Sequence, residues 1–147
     1  TLHMRLNFDC VRDILLCVEE NTDLRHLCAF VDIETYQQSN FSDEQPDIQP
    51  YQKALMQKYD NDTIIYHIYY CNAAGLLLFP EVSKPDRIDI EDLTPDGHSF
   101  LANIREPSNW EKIKTVGHKL GCTSLPTLSN IASQVVAALI KQYLKLS

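Results

Sequence analysis

The sequence predicts an α+β fold in which one mixed domain is followed by a helical extension. Apolar residues recur at helical spacing in two separate segments, 8–21 and 63–74. The second segment precedes two short stretches with strand character, 76–82 and 87–91, on either side of a polar turn. Residues 124–146 then form one long segment with helical periodicity. A chain of 147 residues is long enough for such a fold to bury its own core.

The first helix is predicted to begin directly after Asn7 and to end near Asn21. Asn7 is a favourable N-cap, and Asp9 lies at the positive end of the helix dipole. Leu6 can pack against Val11 and so fix the direction in which the chain enters the helix.

The middle of the chain is predicted to alternate strand, loop and helix. Residues 27–33 are rich in strand-forming side chains, whereas 34–50 are polar, acidic and contain two prolines, which is typical of a loop. A short helix is predicted over 51–59. The next helix, 63–74, is closed by Gly75 at the position where helices commonly end in glycine.

The order helix, short helix, helix and hairpin is typical of a winged helix-turn-helix. Helix 63–74 then corresponds to the recognition helix, and the hairpin to the wing. Thr94 is predicted to cap one further helix, 94–105. Residues 1–105 are therefore assigned to a winged-helix-like domain.

Residues 106–147 are predicted to form a C-terminal helical extension that packs on the domain, dimerises, or does both. A capping box formed by Ser108 and Glu111 is predicted to begin its helix 109–120. The apolar stripe of the last helix is wider than a strict coiled-coil seam, so apolar surface remains for a second partner. A second copy is the most common such partner. The stripe assigned to a homodimer consists of Leu128, Ala132, Val135, Leu139 and Tyr143.

The charge of the chain is distributed unevenly. The sequence carries 20 Asp and Glu against 13 Lys and Arg, for a formal charge of -7, which argues against a protein that coats nucleic acid or anionic membrane. Residues 1–50 contain 10 carboxylates and three cations, whereas residues 101–147 contain six cations and two carboxylates. An acidic front with a basic tail indicates a binding surface or self-association.

The sequence contains no motif for catalysis, nucleotide binding or a metal. GxSxG, GxGxxG and GxxxxGK[ST] are absent, and the five cysteines are scattered without a CxxC pair. We therefore expect a protein that is not an enzyme and has no catalytic residue, cofactor or metal. No signal peptide or membrane span is recognisable, so a reducing cytosol is the expected compartment. Thr1-Leu2-His3 is expected to be a cloning remnant that precedes Met4.

The outward face of the recognition helix is predicted to carry tyrosines instead of cations. With residues 100° apart, this face holds Asp62, Tyr66 and Tyr70, with His67 at its edge, whereas Tyr69 is expected in the core. Major-groove reading relies on Arg, Lys, Asn and Gln, so the helix is not expected to bind DNA in the usual way. Exposed aromatic residues are typical anchors of protein interfaces.

A dimeric DNA-binding transcriptional regulator is the alternative function. It would use the wing and the basic helix 109–120 in place of the recognition helix. The cations available for phosphate contacts are Lys84, Arg87, Lys112, Lys114 and Lys119.

Several stretches together resemble a family of small uncharacterised proteins of phages and prophages in low-GC Gram-positive bacteria. They are LNFDCVRDILLCVEE, IIYHIYYCNAAGLL, DLTPDGHSFLANIR with Trp110-Glu111-Lys112, and LSNIASQVV. The resemblance covers nearly the whole chain except 25–50, and GHxFLxxIR followed by Trp110 is its most specific part. The chain departs from the pattern at Cys71, where the family more often carries a larger aliphatic residue. The resemblance implies the fold and a phage context in the cytoplasm of a bacterial host cell.

We therefore expect an interaction protein that self-associates and does not cross a membrane. Its candidate surface for a basic protein is an acidic face centred on Tyr66, Tyr70 and the 37–50 loop. In a phage setting, a host nucleic-acid-binding protein would suit such a face by electrostatic complementarity.

Overall fold

The computed structural model describes residues 4–41 and 43–146, so the expected cloning remnant Thr1-Leu2-His3 lies outside the described residues. Helices predominate, and two small antiparallel sheets complete a mixed α+β fold, as predicted. The elements are α1 (Phe8–Asn21), β1 (Cys28–Val31), α2 (Ile33–Asn40), α3 (Pro50–Met56), α4 (Asn61–Ala73), β2 (Leu77–Leu78), β3 (Arg87–Ile90), β4 (Asp92–Leu93), α5 (Pro95–Ile104), α6 (Pro107–Lys119) and α7 (Leu125–Leu146).

Helix α1 lies in the centre of the core and confirms the predicted first helix. Asn7 caps it, because its side-chain oxygen accepts a hydrogen bond from the backbone N–H of Cys10 at 3.0 Å. Val11, Ile14 and Leu15 are fully buried on its apolar face. This face contacts both α4 and α5, so α1 joins the N-terminal helices to the C-terminal ones.

The sheets differ from the hairpin that the sequence predicts. Strand β1 pairs antiparallel with β3, and the two-residue β2 pairs with β4 instead of with residues 87–90. The predicted strand 76–82 is therefore too long. Pro80 and Pro85 lie in the segment between β2 and β3, and proline cannot donate a hydrogen bond to a ladder.

The outer edge of β1 is closed by two side chains of α3. The backbone N–H of Ala29 donates to the Tyr51 hydroxyl at 2.6 Å, and this hydroxyl donates to the Ala29 carbonyl at 2.9 Å. The Gln52 amide bonds the N–H and the carbonyl of Val31 in the same way, at 2.9 Å each. Gln52 is fully buried and so takes the place of a neighbouring strand.

The predicted loop 34–50 is wrong in its first part, because residues 33–40 form α2. Asp32 caps this helix by accepting from the N–H of Thr35 at 3.2 Å, and Phe41 ends it in a left-handed conformation with φ 49°. Ile33 is the only buried residue of α2. The helix therefore lacks the apolar periodicity that sequence analysis depends on and is held mainly by its caps.

The capping box at the start of α6 is also wrong. Pro107 occupies the first turn, and the cap is Glu106, whose carboxylate accepts from the N–H groups of Ser108 at 3.1 Å and Asn109 at 2.9 Å. Proline fits the first turn because no intrahelical partner exists there for its missing N–H. Ser108 is thus the second residue of α6, and it is not the N-cap.

Helix α7 has two different halves. Leu125, Leu128, Ile131 and Ala132 are buried where the first half packs against α5 and α6. After Ala132, the side chains with assigned burial are half-buried or exposed. The predicted span of the last helix is confirmed, but only its first half contributes to the core of the chain.

Candidate interaction surface

The outward face of α4 carries aromatic residues, although not in the arrangement that the sequence predicts. Asp62 and Tyr66 are exposed as expected. Tyr69 is wrongly assigned to the core, because 48% of it is exposed. Tyr70 is half-buried against the core instead of fully exposed.

These rings form two pairs, one of which includes Phe79, the residue that follows β2. The ring centroids of Tyr66 and Tyr70 are 6.0 Å apart, and those of Tyr69 and Phe79 are 6.4 Å apart. Both separations lie in the range of favourable aromatic contacts. We call Tyr66, Tyr69, Tyr70 and Phe79 the aromatic face.

A small cavity of about 100 Å³ lies beside the aromatic face. Tyr69 and Phe79 form one wall, and Val82 and Ile88 belong to its apolar lining. Val82 is 81% exposed, so this region presents apolar surface to solvent. A cavity next to exposed aromatic rings suits one anchoring side chain of a partner protein.

The charges around the aromatic face are mainly negative. Asp62 lies on α4, and the segment from β2 to β4 carries Glu81, Asp86, Asp89, Glu91 and Asp92 against Lys84 and Arg87. Arg87 is engaged within the chain, since its Nε donates to Asp89 Oδ1 at 2.7 Å. The region of the aromatic face therefore carries more carboxylates than cations, although Lys84 and Arg87 both line the cavity beside Tyr69 and Phe79.

His67 is fully buried, which corrects its predicted position at the edge of the outward face. The N-terminal end of α1 covers it: the backbone N–H of Asn7 donates to Nε2 at 2.8 Å. Nδ1 lies 2.8 Å from the carbonyl oxygen of Thr63. Burial lowers the pKa of His67, although the carbonyls of Thr63 and Arg5 favour the charged form. The ring holds α4 against α1 and is not part of the surface.

One of the cations assigned to DNA binding is half-buried in a cluster of contacts between α6 and α1. Lys114 Nζ lies 2.9 Å from Asp9 and 3.0 Å from Glu111, and 5.5 Å from the centre of the Trp110 ring. Trp110 is itself buried and donates to Asp9 at 2.8 Å. Partial burial raises the pKa of Asp9, but the hydrogen bonds from Lys114 and Trp110 outweigh it and lower the pKa overall. Lys114 therefore joins α6 to α1.

The other predicted cations are more accessible. Lys84, Lys112 and Lys119 are exposed, and Lys112 lies close enough to Glu106 to lower the pKa of that carboxyl, after hydrogen bonds from Ser108 and Asn109. The five cations are thus divided between contacts within the chain and open solvent.

The stripe assigned to a homodimer is divided in a similar way. Leu128 and Ala132 are fully buried within the chain, where they pack on its own core. Val135 and Leu139 are half-buried, and Tyr143 is 73% exposed. Beside them, Ile140 is 53% exposed. The apolar surface of α7 that remains for a partner lies after residue 132.

No group of three or more His, Cys, Asp and Glu side chains in residues 4–41 and 43–146 is arranged to hold a metal ion. In the described part of the chain, no helix has the length and apolar character that crossing a membrane requires.

Comparison with known proteins gives one family match, and the candidate surface lies within the matched range. A family model described as a hypothetical protein, DUF2513, matches residues 5–123. This range contains α1 to α6 and the aromatic face, whereas α7 follows it. No curated protein matches the chain, and no solved structure does.

Proposed function

The chain belongs to the DUF2513 family of hypothetical proteins, and we propose that it is a winged-helix protein that binds a basic protein partner through the aromatic face. It acts in this proposal as a non-enzymatic interaction protein of phage or prophage type in the cytoplasm of a bacterial host. The phage context comes from the sequence resemblance alone.

The order and pairing of the elements support the winged-helix assignment. Helix α1, strand β1, helices α3 and α4, strand β2 and strand β3 follow one another as in that fold, with α2 inserted after β1. Residues 87–93 pair with β1 through β3 and with β2 through β4. The segment between β2 and β3 takes the position of the wing, and α4 that of the recognition helix.

The composition of α4 is the observation that carries the proposed function. Residues 61–73 contain no Lys or Arg, and the exposed positions include Asp62, Tyr66 and Tyr69. A helix that enters the major groove needs cations for the phosphates and polar donors for the bases. Tyrosines at the same positions anchor protein interfaces, because their rings bury a large area at a small cost in side-chain entropy.

The surrounding carboxylates support a basic partner. Asp62 precedes the tyrosines on α4, and Glu81 and Asp86 belong to the segment that follows Phe79, so a surface rich in Lys and Arg would be attracted to this region. In a phage context, a nucleic-acid-binding protein of the host is a partner of this charge. An acidic protein that occupied its DNA-binding groove would compete with DNA.

Affinity capture from a lysate of a low-GC Gram-positive host tests this proposal. A basic protein should be retained by the wild type, and its retention should weaken about tenfold or more when Tyr66→Ala is combined with Tyr69→Ala. Tyr36→Ala on α2 is the matched control, because it removes a tyrosine ring outside the aromatic face. Equal retention of the same protein by the double variant and the control would contradict the proposal.

Exposed cations on α6 support the dimeric DNA-binding regulator as a second candidate. Lys112 and Lys119 are exposed there, and Lys84 is exposed in the segment between β2 and β3. A gel shift at low salt against host promoter fragments tests it. Lys112→Glu combined with Lys119→Glu should abolish a specific shift, whereas a change at Lys114 would also disturb its contacts with Asp9. If the wild type shifts no fragment, this candidate fails.

The exposed apolar residues of the second half of α7 support self-association. Ile140 and the half-buried Leu139 lie together on this part of the helix. We propose that two copies pair through it to form a homodimer.

A further inference from the structure

Two cysteines from different elements lie in contact inside the core. Cys17 is in the last turns of α1, and Cys28 is the first residue of β1. Each thiol shifts the pKa of the other, and both lie near Tyr51, which lines a cavity with Cys17 and whose hydroxyl bonds the backbone of Ala29 next to Cys28; both are thiols in this structure. The sequence separates them by ten residues and contains no motif that would pair them.

Solvent reaches this pair from one side only. Cys28 is fully buried, whereas Cys17 is 8% exposed. Cys17 lines a surface cavity of about 240 Å³ together with Tyr51, Leu55 and Lys58. A small oxidant in this cavity can therefore reach Cys17, whereas Cys28 does not line the cavity.

The surroundings of the two sulfurs give them different roles. Hydrogen bonds from Cys28 and from Asn21, whose Nδ2 is 3.7 Å from Cys17 Sγ, lower the pKa of Cys17, although burial opposes this. The same contact with Cys17, together with burial, raises the pKa of Cys28. Because Cys17 lines the cavity and Cys28 is fully buried, Cys17 is the residue that an oxidant reaches first.

We propose that Cys17 and Cys28 are a site of reversible oxidation, at which a peroxide joins α1 to β1 through a disulfide. The thiolate of Cys17 attacks one peroxide oxygen, the O–O bond breaks, and the products are a sulfenic acid on Cys17 and hydroxide. The sulfur of Cys28 then attacks the Cys17 sulfur, forms the S–S bond and displaces the hydroxyl group, which leaves as water with the Cys28 proton. Two electrons pass from the thiols to the peroxide, and a thiol reductant reverses the change.

The other cysteines are placed differently. Burial raises the pKa of Cys10 to about 12, with Asp13 and Asp60 adding to the effect, and burial also raises the pKa of Cys71. The thiol of Cys122 is half-buried and donates to the carbonyl of Ser124 at 3.4 Å. Among the described cysteines, Cys17 alone combines a lowered pKa with a position in a surface cavity and a second thiol in contact.

Peptide mapping of the whole purified chain tests the proposal. The reduced protein is treated with hydrogen peroxide, its remaining thiols are blocked, and it is digested with trypsin without reductant. Cleavage after Arg25 separates the two cysteines, so the disulfide appears as a linked pair of peptides about 2 Da lighter than the sum of the two thiol peptides. Dithiothreitol should separate the pair. Cys122→Ser should leave the link intact, whereas Cys17→Ser should abolish it.

Three results would overturn the proposal. Cys17 would be only a site of over-oxidation if it accumulated as sulfinic acid with no link to Cys28. A link from Cys17 to Cys122, or between two chains, would assign the chemistry to surface thiols. Full protection of both thiols in the folded wild type would show that peroxide does not reach the pair. The wild-type map decides among these results even if Cys17→Ser folds poorly.

Discussion

His67 illustrates how a polar side chain can serve the core of this protein. Its ring is fully buried and bonds the N–H of Asn7 and the carbonyl of Thr63. These bonds fit a neutral ring with its proton on Nδ1, because Nε2 accepts from Asn7. The ring therefore satisfies one backbone group at the start of α1 and one within α4.

The buried ring makes stability depend on pH. Because burial lowers the pKa of His67 below its usual 6.5, the unfolded chain takes up a proton at a higher pH than the folded chain. The free energy of unfolding should therefore be highest above pH 6.5 and should fall as the pH decreases toward the lowered pKa. Urea denaturation between pH 7.5 and 5 measures this slope. His67→Gln should reduce it, whereas His118→Gln, at an exposed histidine, should preserve it.

Gly97 marks a close approach between α5 and the residue before β2. A Cβ on Gly97 would lie 2.2 Å from the carbonyl oxygen of Leu76, which also accepts from the N–H of Thr94 at 3.0 Å. A backbone oxygen held in this way cannot move aside easily. The glycine thus allows α5 to begin against the sheet.

Gly97→Ala should lower the free energy of unfolding by about 1–3 kcal/mol, because the added methyl group overpacks the contact with Leu76. Gly117→Ala is the control: it lies in helix α6, and its nearest contact would be an ordinary 3.5 Å to Phe8. Alanine is favoured over glycine within helices by about 1 kcal/mol, so this variant should be as stable as the wild type or more so. Equal losses in both variants would show that the Leu76 contact is not the cause.

At the scale of elements, α3 acts as a substitute strand. Tyr51 and Gln52 bond both outward-facing backbone groups of Ala29 and of Val31, so β1 has its hydrogen bonds satisfied on both edges. An uncovered edge of this kind would be a template for pairing with other chains. The short helix therefore protects a sheet that is too small to protect itself.

Gln52→Ala should destabilise the protein by about 1–3 kcal/mol, because the N–H of Val31 loses its partner and the Val31 carbonyl keeps only the 3.5 Å contact with Asn61 Nδ2. Chemical denaturation measures this loss, and light scattering on heating should detect earlier aggregation. Gln57→Ala, at an exposed glutamine just after α3, is the matched control and should change stability by less than about 0.5 kcal/mol. A Gln52→Ala protein as stable as this control would mean that water or another side chain covers the edge.

At the scale of the whole molecule, the two proposed contact surfaces belong to different parts of the chain. The aromatic face lies within the range shared with the DUF2513 family, and the exposed half of α7 lies after it. Charge follows a similar division, since residues 1–100 are acidic overall and residues 101–147 are basic overall. Partner binding and self-association should therefore be separable by mutation.

Ile140→Glu should convert the proposed homodimer into a monomer, because it places a charge within the apolar surface of α7. Sedimentation equilibrium measures the change in mass. Gln142→Glu adds the same charge at an exposed polar position of the same helix and should leave the dimer intact. A monomeric wild type would remove the basis for self-association, and the capture of a basic partner by the aromatic face would be unaffected.

The sequence by itself determined the features that depend on neighbouring residues. These features are the α+β class, the cap of α1 by Asn7, the glycine after α4 and the extent of α7. Each depends on the spacing of residues, or on a hydrogen bond, within a short segment of the chain. The sequence alone also shows that the outward face of α4 carries no Lys or Arg. Helix α2 was not predicted, because it buries only Ile33 and its sequence has no apolar periodicity.

Only the tertiary structure decided how distant groups combine. Gln52 and His67 read as ordinary polar residues in the sequence, and their burial depends on β1 and on the start of α1 being folded beside them. Lys114, which the sequence analysis assigned to DNA binding, instead contacts Asp9, 105 positions away. Cys17 and Cys28 come together only because the chain reverses direction between α1 and β1. Hydrogen bonds and thiol contacts of this kind are set by distance in space, which a pattern along one chain does not encode.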